Sequence, residues 1–348
     1  MTTNNGRVKF GIGAISAQTL GGTRREVSEA LAEVVLACQV AEASGLDSVW
    51  LSEHHFADDC YLPAPLIMLA ALARETERVT LATNIAIGPL YDPIRLAEDC
   101  AVIDHLSGGR LMLGLGLGYR DVEFEGLGLR RADRARRLEQ CLETLRSAWQ
   151  GDALEARLPD GSPVRVTPPP TGPEGPPVLV GAFAEAGIRR AARMASGWIA
   201  PELAKVSHLE RRFGVLVDEG PCKENFHVVL TMSGFVAHHQ ARSLVRIGAD
   251  HAEHQYRAWL GASDDDNVSS AAPELVDGRP PYFIAGSPEE CARQLRPWYD
   301  FLAALPKGFA PHLTIRLMFP GVATSDTMEA IRLFGAEILP RLVEEPTG

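Results

Sequence analysis

The chain has 348 residues, 46% of them hydrophobic and 23% charged, with 34 Lys and Arg set against 45 Asp and Glu for a formal net charge of −11. That length supplies a core for one large domain. The acidic balance argues against nucleic acid as a main partner, because such binding rests on cationic side chains that neutralise phosphates, and no apolar run of about 18 residues is present to span a membrane.

Read from its amino end, "MTTNNGRVKF" lacks the apolar core of a signal peptide, so a cytoplasmic protein is expected. A first strand is predicted at "RVKFGIGAI" (7–15). An amphipathic helix follows at 26–45, where Val27, Leu31, Val34, Val35, Cys38 and Ala41 share one face at 3.6-residue spacing and Gly45 ends the run. "SVWL" (48–51) is the second strand and leads into the polar "SEHHF". Helical "APLIMLAALARET" then precedes strand three, "RVTLATNIAIG" (78–88), and "PIRLAEDCAVIDHLSGG" precedes strand four, "RLMLGLGLG" (110–118).

The basic cluster Arg130, Arg131, Arg134, Arg136 and Arg137 opens the helical "RARRLEQCLETLRSAWQG" and is read as a solvated helix face. The Pro- and Gly-rich 157–177 reads as an excursion before strand five, "PVLVGA" (177–182). Helical "EAGIRRAARMASG" leads to strand six, "GWIA" (197–200), and strand seven is "FHVVLTMSGFVA" (226–237). Residues 238–281 form an insertion that either closes over the mouth as a lid or is a solvated surface loop. A helix at "SPEECARQLRPWYDFLAAL", strand eight at "HLTIRLMF" (312–319) and a closing helix complete the chain. Its six cysteines show no C-x-x-C spacing, so neither a zinc site nor a disulfide framework is expected.

Short apolar strands alternating with helices imply parallel strands buried on both faces. Eight of them favour an α/β fold of the eight-stranded β/α (TIM) barrel type, with insertions at the carboxyl-end face, as a single domain over 1–348. The open dinucleotide-binding alternative needs G-x-G-x-x-G after its first strand. "GIGAIS" has Ser16 in the third place and "GLGLGYRD" has Tyr119 or Asp121 there, so neither fits.

In a barrel the carboxyl ends of the strands converge on one mouth. That rule collects Ser16 and Gln18, Glu53, His54 and His55, Asn84, and Tyr119, Arg120 and Glu123. Adjacent residues of an extended chain point opposite ways, so His54 and His55 suit one metal poorly and no metal is expected. A proton-transferring imidazole and a pair of loop-fixing histidines both remain open. Phe10, Phe56, Tyr91, Tyr119, Phe183 and Trp198 lie near strand ends as candidate pocket aromatics.

With "GLDSVWLSEHHF", the block from "LATNIAIGPLYDPIRLAEDC" through "HLSGGRLMLGLGLGYRDVEFEGLGL", "PVLVGAFAEAGIRRAARMASGW" and the closing "IRLFGAEILPRL", the chain resembles the luciferase-like monooxygenase family. The resemblance implies that His54, the first histidine of E-H-H-F, is catalytic, that His55 supports it, and that Glu123 is the acidic position after strand four. It implies a flavin bed at His54, Thr83, Asn84, Ile85, Gly116, Leu117, Gly118 and Tyr119, with a cis peptide near Asn84 and Ile85. The flavin phosphate would lie at Gly181, Ala182 and Phe183, ahead of a helix starting near Glu185.

Two positions depart from the family pattern: Phe183 and Ala184 stand where many relatives have serine, and Leu117 where luciferase has arginine. Backbone amides and an arginine from elsewhere are left to hold the phosphate. The implied partners are reduced FMN from a separate flavin reductase, O2, a small organic substrate and a second copy of the chain as a homodimer. Two alternatives accompany that reading, a deazaflavin-dependent hydride-transfer enzyme and a non-catalytic flavin-binding subunit.

Overall fold

The computed structural model describes residues 7–203, 205–238, 245–251, 280 and 282–344. Eight parallel strands close a ring in the order β1 (Lys9–Ile15), β2 (Ser48–Leu51), β3 (Thr80–Thr83), β5 (Leu111–Gly116), β6 (Val178–Gly181), β7 (Gly197–Ala200), β8 (Phe226–Val236) and β10 (Phe309–Arg316), with β10 returning to β1. The fold is the expected TIM barrel. Two short strands lie outside the ring: β4 (Ala86–Ile87) pairs with β5, and β9 (Phe283–Gly286) pairs with β8.

The ring strands are the eight read from the sequence, with shifted boundaries: strand three, read as 78–88, is β3 followed by the separate β4, and strand four, read as 110–118, is Leu111–Gly116. The last runs from Phe309 and not from His312, because Pro311 breaks nothing: it sits opposite Val228, and the ladder to β1 begins only at His312. β9 is an addition, as are the helices α4 (Asp121–Gly126) and α7 (Val206–Glu219). The predicted helices appear as α1 (Arg24–Ala43), α2 (Pro65–Glu75), α3 (Pro93–Ser107), α5 (Arg134–Trp149), α6 (Glu185–Met194), α8 (Pro288–Ala303) and α9 (Thr324–Leu333).

Local chemistry explains where these helices start and stop. Thr23 and Glu26 form a reciprocal capping box on α1, Ser287 and Glu290 form another on α8, and Asp92 caps α3 ahead of Pro93. Gly108 ends α3 at φ 67°, a left-handed conformation that costs glycine little. Side chains alternate along each strand: Trp50, Ala82, Met112, Leu179, Ile199 and Val229 fill the lumen, while Val49, Leu51, Leu81, Leu113 and Leu230 join the layer beneath the helices.

Arg110, the last residue of "LSGGR", fastens the amino-terminal side of the ring. Its guanidinium donates to the carbonyls of Ser107, Val79, Ala73 and Thr76 at 2.7–3.0 Å. Residues 157–177 lie between α5 and β6, with one antiparallel bridge from Arg157 to Pro163. Most of 238–281 lies outside the described residues. Among those that are described, no helix is long and apolar enough to cross a membrane.

Candidate active site

At the carboxyl-terminal end of the barrel lies a cavity of about 480 Å³, within the range of small-molecule sites. Every strand of the ring contributes to the wall: Ala14, His54, Asn84, Gly116, Gly181, Ile199 and Arg316 at or just beyond strand ends, and Thr231 from the middle of the long β8. Ala14 has φ 49°, unusual for a residue with a side chain, and the β1 to β2 register shifts between Ile12 and Ile15. Such bulges re-aim a strand next to a site.

Two buried carboxylates divide the pair of histidines between them. His54 Nδ1 lies 2.8 Å from Glu123 Oε1, which also accepts the His55 amide at 3.1 Å and Arg120 at 3.3 Å. His55 turns the other way, with Nε2 2.7 Å from Glu53 Oε1, while Glu53 Oε2 accepts the Ile87 amide at 2.7 Å. That amide belongs to β4, so the E-H-H-F turn is tied to the backbone beyond the third ring strand.

Burial alone would raise the Glu123 carboxyl. The hydrogen bond and charge of His54, the His55 amide and Arg120 outweigh it, and the group lies below the usual carboxylate range. An ionised carboxylate only accepts, so Nδ1 of His54 carries the hydrogen that points at Glu123. Nε2 lies 3.2 Å from the Tyr119 hydroxyl, and both side chains line the cavity. The Glu123 Oε2 atom is buried and has no hydrogen-bond partner among the described residues. For His55, the hydrogen bond to Glu53 raises the imidazole above its ordinary value against the opposing effect of burial.

The other wall is the loop between β6 and α6. Trp198 Nε1 donates to the Ala182 carbonyl at 2.9 Å, and Arg212 Nε donates to that of Phe183 at 3.2 Å while its guanidinium lies 4.6 Å from the Phe183 ring centre. Ala184 precedes α6 without a side-chain cap, which leaves the first-turn N–H groups to other partners. Ala186, Gly187 and Arg190 fall on one helical face and all line the cavity, as does Arg134 at the start of α5.

Of the expected flavin bed, His54, Asn84, Ile85, Gly116, Leu117, Gly118, Tyr119, Gly181, Ala182 and Phe183 are brought together in the wall. Asn84 donates to Thr231 Oγ1 at 2.7 Å, and the Asn84–Ile85 peptide is cis. Thr83 is a correction: it does not line the cavity, because its hydroxyl donates to the Gly114 carbonyl and accepts the Gly114 amide, bracing β3 against β5. His55 and Glu123 stand behind His54 and not in the wall. Glu123 sits in the first turn of α4, a helix the sequence reading did not include after strand four.

The basic cluster also needs correcting. Arg130 and Arg136 are exposed as expected, but Arg131 pairs with Asp121, Arg137 donates to the Pro89 carbonyl, and Arg134 reaches the cavity. Sequence reasoning missed Arg190 as well, although its spacing of three from Gly187 puts both on one face. Of the six candidate aromatics only Tyr119 and Phe183 line the cavity, joined by Tyr61.

The family model described as luciferase-like monooxygenase matches residues 8–304. The oxygenase component of the flavin-dependent trigonelline monooxygenase of Acinetobacter baylyi is 32% identical over 122 residues, a stretch covering 34% of this chain and 34% of that one. The match therefore spans about a third of that relative. Among solved structures, monooxygenase RslO1 from Streptomyces bottropensis superposes with a TM-score of 0.77 at 21% identity, over 96% of this chain and 99% of that one. The oxygenating constituent of 3,6-diketocamphane monooxygenase of Pseudomonas putida, a type II Baeyer-Villiger enzyme in complex with FMN, gives 0.76 at 16% identity over 97% and 99%. At these identities the structural likeness establishes the fold.

Proposed function

Since the chain belongs to the luciferase-like monooxygenase family and is a flavin-dependent oxidoreductase, we propose that it is the oxygenase component of a two-component system, using reduced FMN from a separate reductase and O2 to oxygenate a small organic molecule. The observation that carries this reading is the pairing of His54 with buried Glu123 on the wall of a cavity that also holds Arg134 and Arg190 on its β6–α6 side and Arg316 on the other.

The residues present suit such a cofactor. Ile85, Gly116, Leu117, Val180 and Ile199 offer an apolar bed for a ring system, and Gly116 and Gly181 keep it close: a Cβ at either would meet the Ile85 side chain at 2.6 or 2.8 Å. Arg134, Arg190 and the uncapped start of α6 would hold the phosphate, doing what serine and arginine do at the positions where this chain has Phe183, Ala184 and Leu117. Bound reduced FMN supplies the electrons with which O2 is activated.

What the chain itself contributes is position, dryness and a proton. Glu123 keeps the His54 hydrogen on Nδ1 and stabilises positive charge on the ring, so Nε2 can take a proton and return it, with the Tyr119 hydroxyl as its neighbour. Glu53 and Arg120 immobilise the turn that carries His54. The apolar lining excludes the water that would dissipate a reactive oxygen species.

The test offers reduced FMN and reduced deazaflavin anaerobically, followed by protein fluorescence, and then admits ¹⁸O-labelled O2 together with candidate substrates. Preferential binding of reduced FMN and transfer of the label to an organic product are expected. Tight deazaflavin binding without O2 uptake would overturn the reading in favour of hydride transfer, and flavin binding that never leads to oxidation would point to a binding subunit.

A further inference from the structure

The cavity wall not assigned to the flavin is formed by Ala14, Ser52, Pro201 and the ionisable pair Glu202 and Arg316 at the ends of β1, β2, β7 and β10, with Thr231 from the middle of β8 and Tyr61 from the segment after β2. The pair differs in how firmly each member is held. Arg316 donates to Gln18 Oε1 at 2.7 Å and to the Met318 carbonyl at 3.3 Å, and its guanidinium lies 4.8 Å from the centre of the Phe319 ring. Gln18 is itself fixed, accepting from Ser16 at 2.6 Å and donating to Asp59 at 2.5 Å. The cation is thus built into a rigid wall.

Glu202 is only half provided for. Ser233 donates to Oε1, and among the described residues that is the one hydrogen bond the carboxyl makes, while Arg316 acts on it through its charge. A partly buried carboxyl that lines a mostly apolar cavity and is held through one oxygen presents the other to whatever binds there.

We propose that Glu202 determines specificity in the organic-substrate subsite, accepting a hydrogen bond from the neutral O–H or N–H group of a small, otherwise apolar substrate. An anionic group is disfavoured by the carboxyl, and an ammonium by the guanidinium that shares the wall. Burial also holds the Glu202 carboxyl above its usual range, with Ser233 and Arg316 opposing. A site that hydrogen-bonds a substrate O–H rejects the analogue lacking it more sharply than an apolar pocket separates sizes.

This inference rests on the flavin reading, and one experiment separates the two. Calorimetry on the full chain, with and without FMN, compares benzyl alcohol, p-cresol and acetanilide with benzyl methyl ether, p-methylanisole and N-methylacetanilide. In at least one pair the O–H or N–H member should bind about tenfold more tightly, as one hydrogen bond to such a group implies. Glu202→Leu should erase that ratio and Glu202→Gln, which keeps an acceptor oxygen, should retain most of it; Glu202→Met replaces the leucine variant if that fails to fold. Absence of discrimination in all three wild-type pairs, or its survival in Glu202→Leu, overturns the proposal. Discrimination with no FMN binding would keep the subsite and overturn the flavin reading, whereas FMN binding without discrimination would do the reverse.

Discussion

At the scale of single residues the site is a relay of fixed partners, and truncation should show which of them the chemistry uses. His54→Ala removes the imidazole and leaves the cavity otherwise intact. Reductase-coupled oxygenation should fall by about 10²-fold, the usual worth of a positioned proton-transfer group, with the dissociation constant for reduced FMN changed only a few-fold. Glu123→Gln keeps the shape and loses the charge, and a smaller drop of about tenfold is expected from the same assay. Arg190 pairs with Glu139 at 2.8 Å yet also lines the cavity. Arg190→Met should weaken FMN about tenfold and riboflavin hardly at all, because only FMN carries the phosphate. The E-H-H-F motif was legible as a polar turn at the barrel mouth, but the residues alone left proton transfer and loop fixing both open, and the family resemblance was what singled out His54. The arginines were not legible: a charge can be counted along a chain, but the direction in which it points depends on helix phase and on neighbours such as Asp121 and Pro89.

At the scale of elements, the barrel was readable wherever a strand had to be buried on both sides, because that demand writes an unbroken apolar run such as "SVWL" or "GWIA". It was not readable where tertiary pairing creates the strand. β9 is the four residues "FIAG" with prolines just ahead, and it exists because β8 continues far enough past the ring to offer it a partner at Ser233–Val236. α7 was missed for a related reason: Leu209, Arg212 and Leu216 form a narrow buried stripe among charged neighbours. The Arg110 staple belongs to this scale too, since it joins α2, α3 and the start of β3. Arg110→Lys replaces a planar fork by a point charge that cannot serve four carbonyls at once. A loss of about 2–3 kcal/mol in urea unfolding is expected from the orphaned carbonyls, with FMN affinity unaltered.

At the scale of the whole molecule, one end of the barrel sets a response to acid. Opposite the cavity, His227 Nδ1 lies 2.9 Å from His312 Nε2 inside the ring. Burial, together with Lys9, pushes His227 down to about 4, and burial with His227 and Lys9 holds His312 lower than its ordinary value. Both imidazoles are neutral in the folded chain at neutral pH. An unfolded chain protonates them near 6.5, so below that pH the unfolded state binds more protons and stability declines. The contribution is whole above about 6.5 and is lost progressively toward 4, amounting to at most about 3 kcal/mol for His227. Urea midpoints measured across that window should fall, and should fall less in the double variant His227→Leu with His312→Leu. The cavity has a consequence of another kind. Its flavin-facing and Glu202-facing walls bound one space of about 480 Å³, so cofactor and substrate share an approach. Turnover should then follow a compulsory order with reduced cofactor first. Initial rates should pass through a maximum as substrate concentration rises, and additional reduced FMN should relieve the decline.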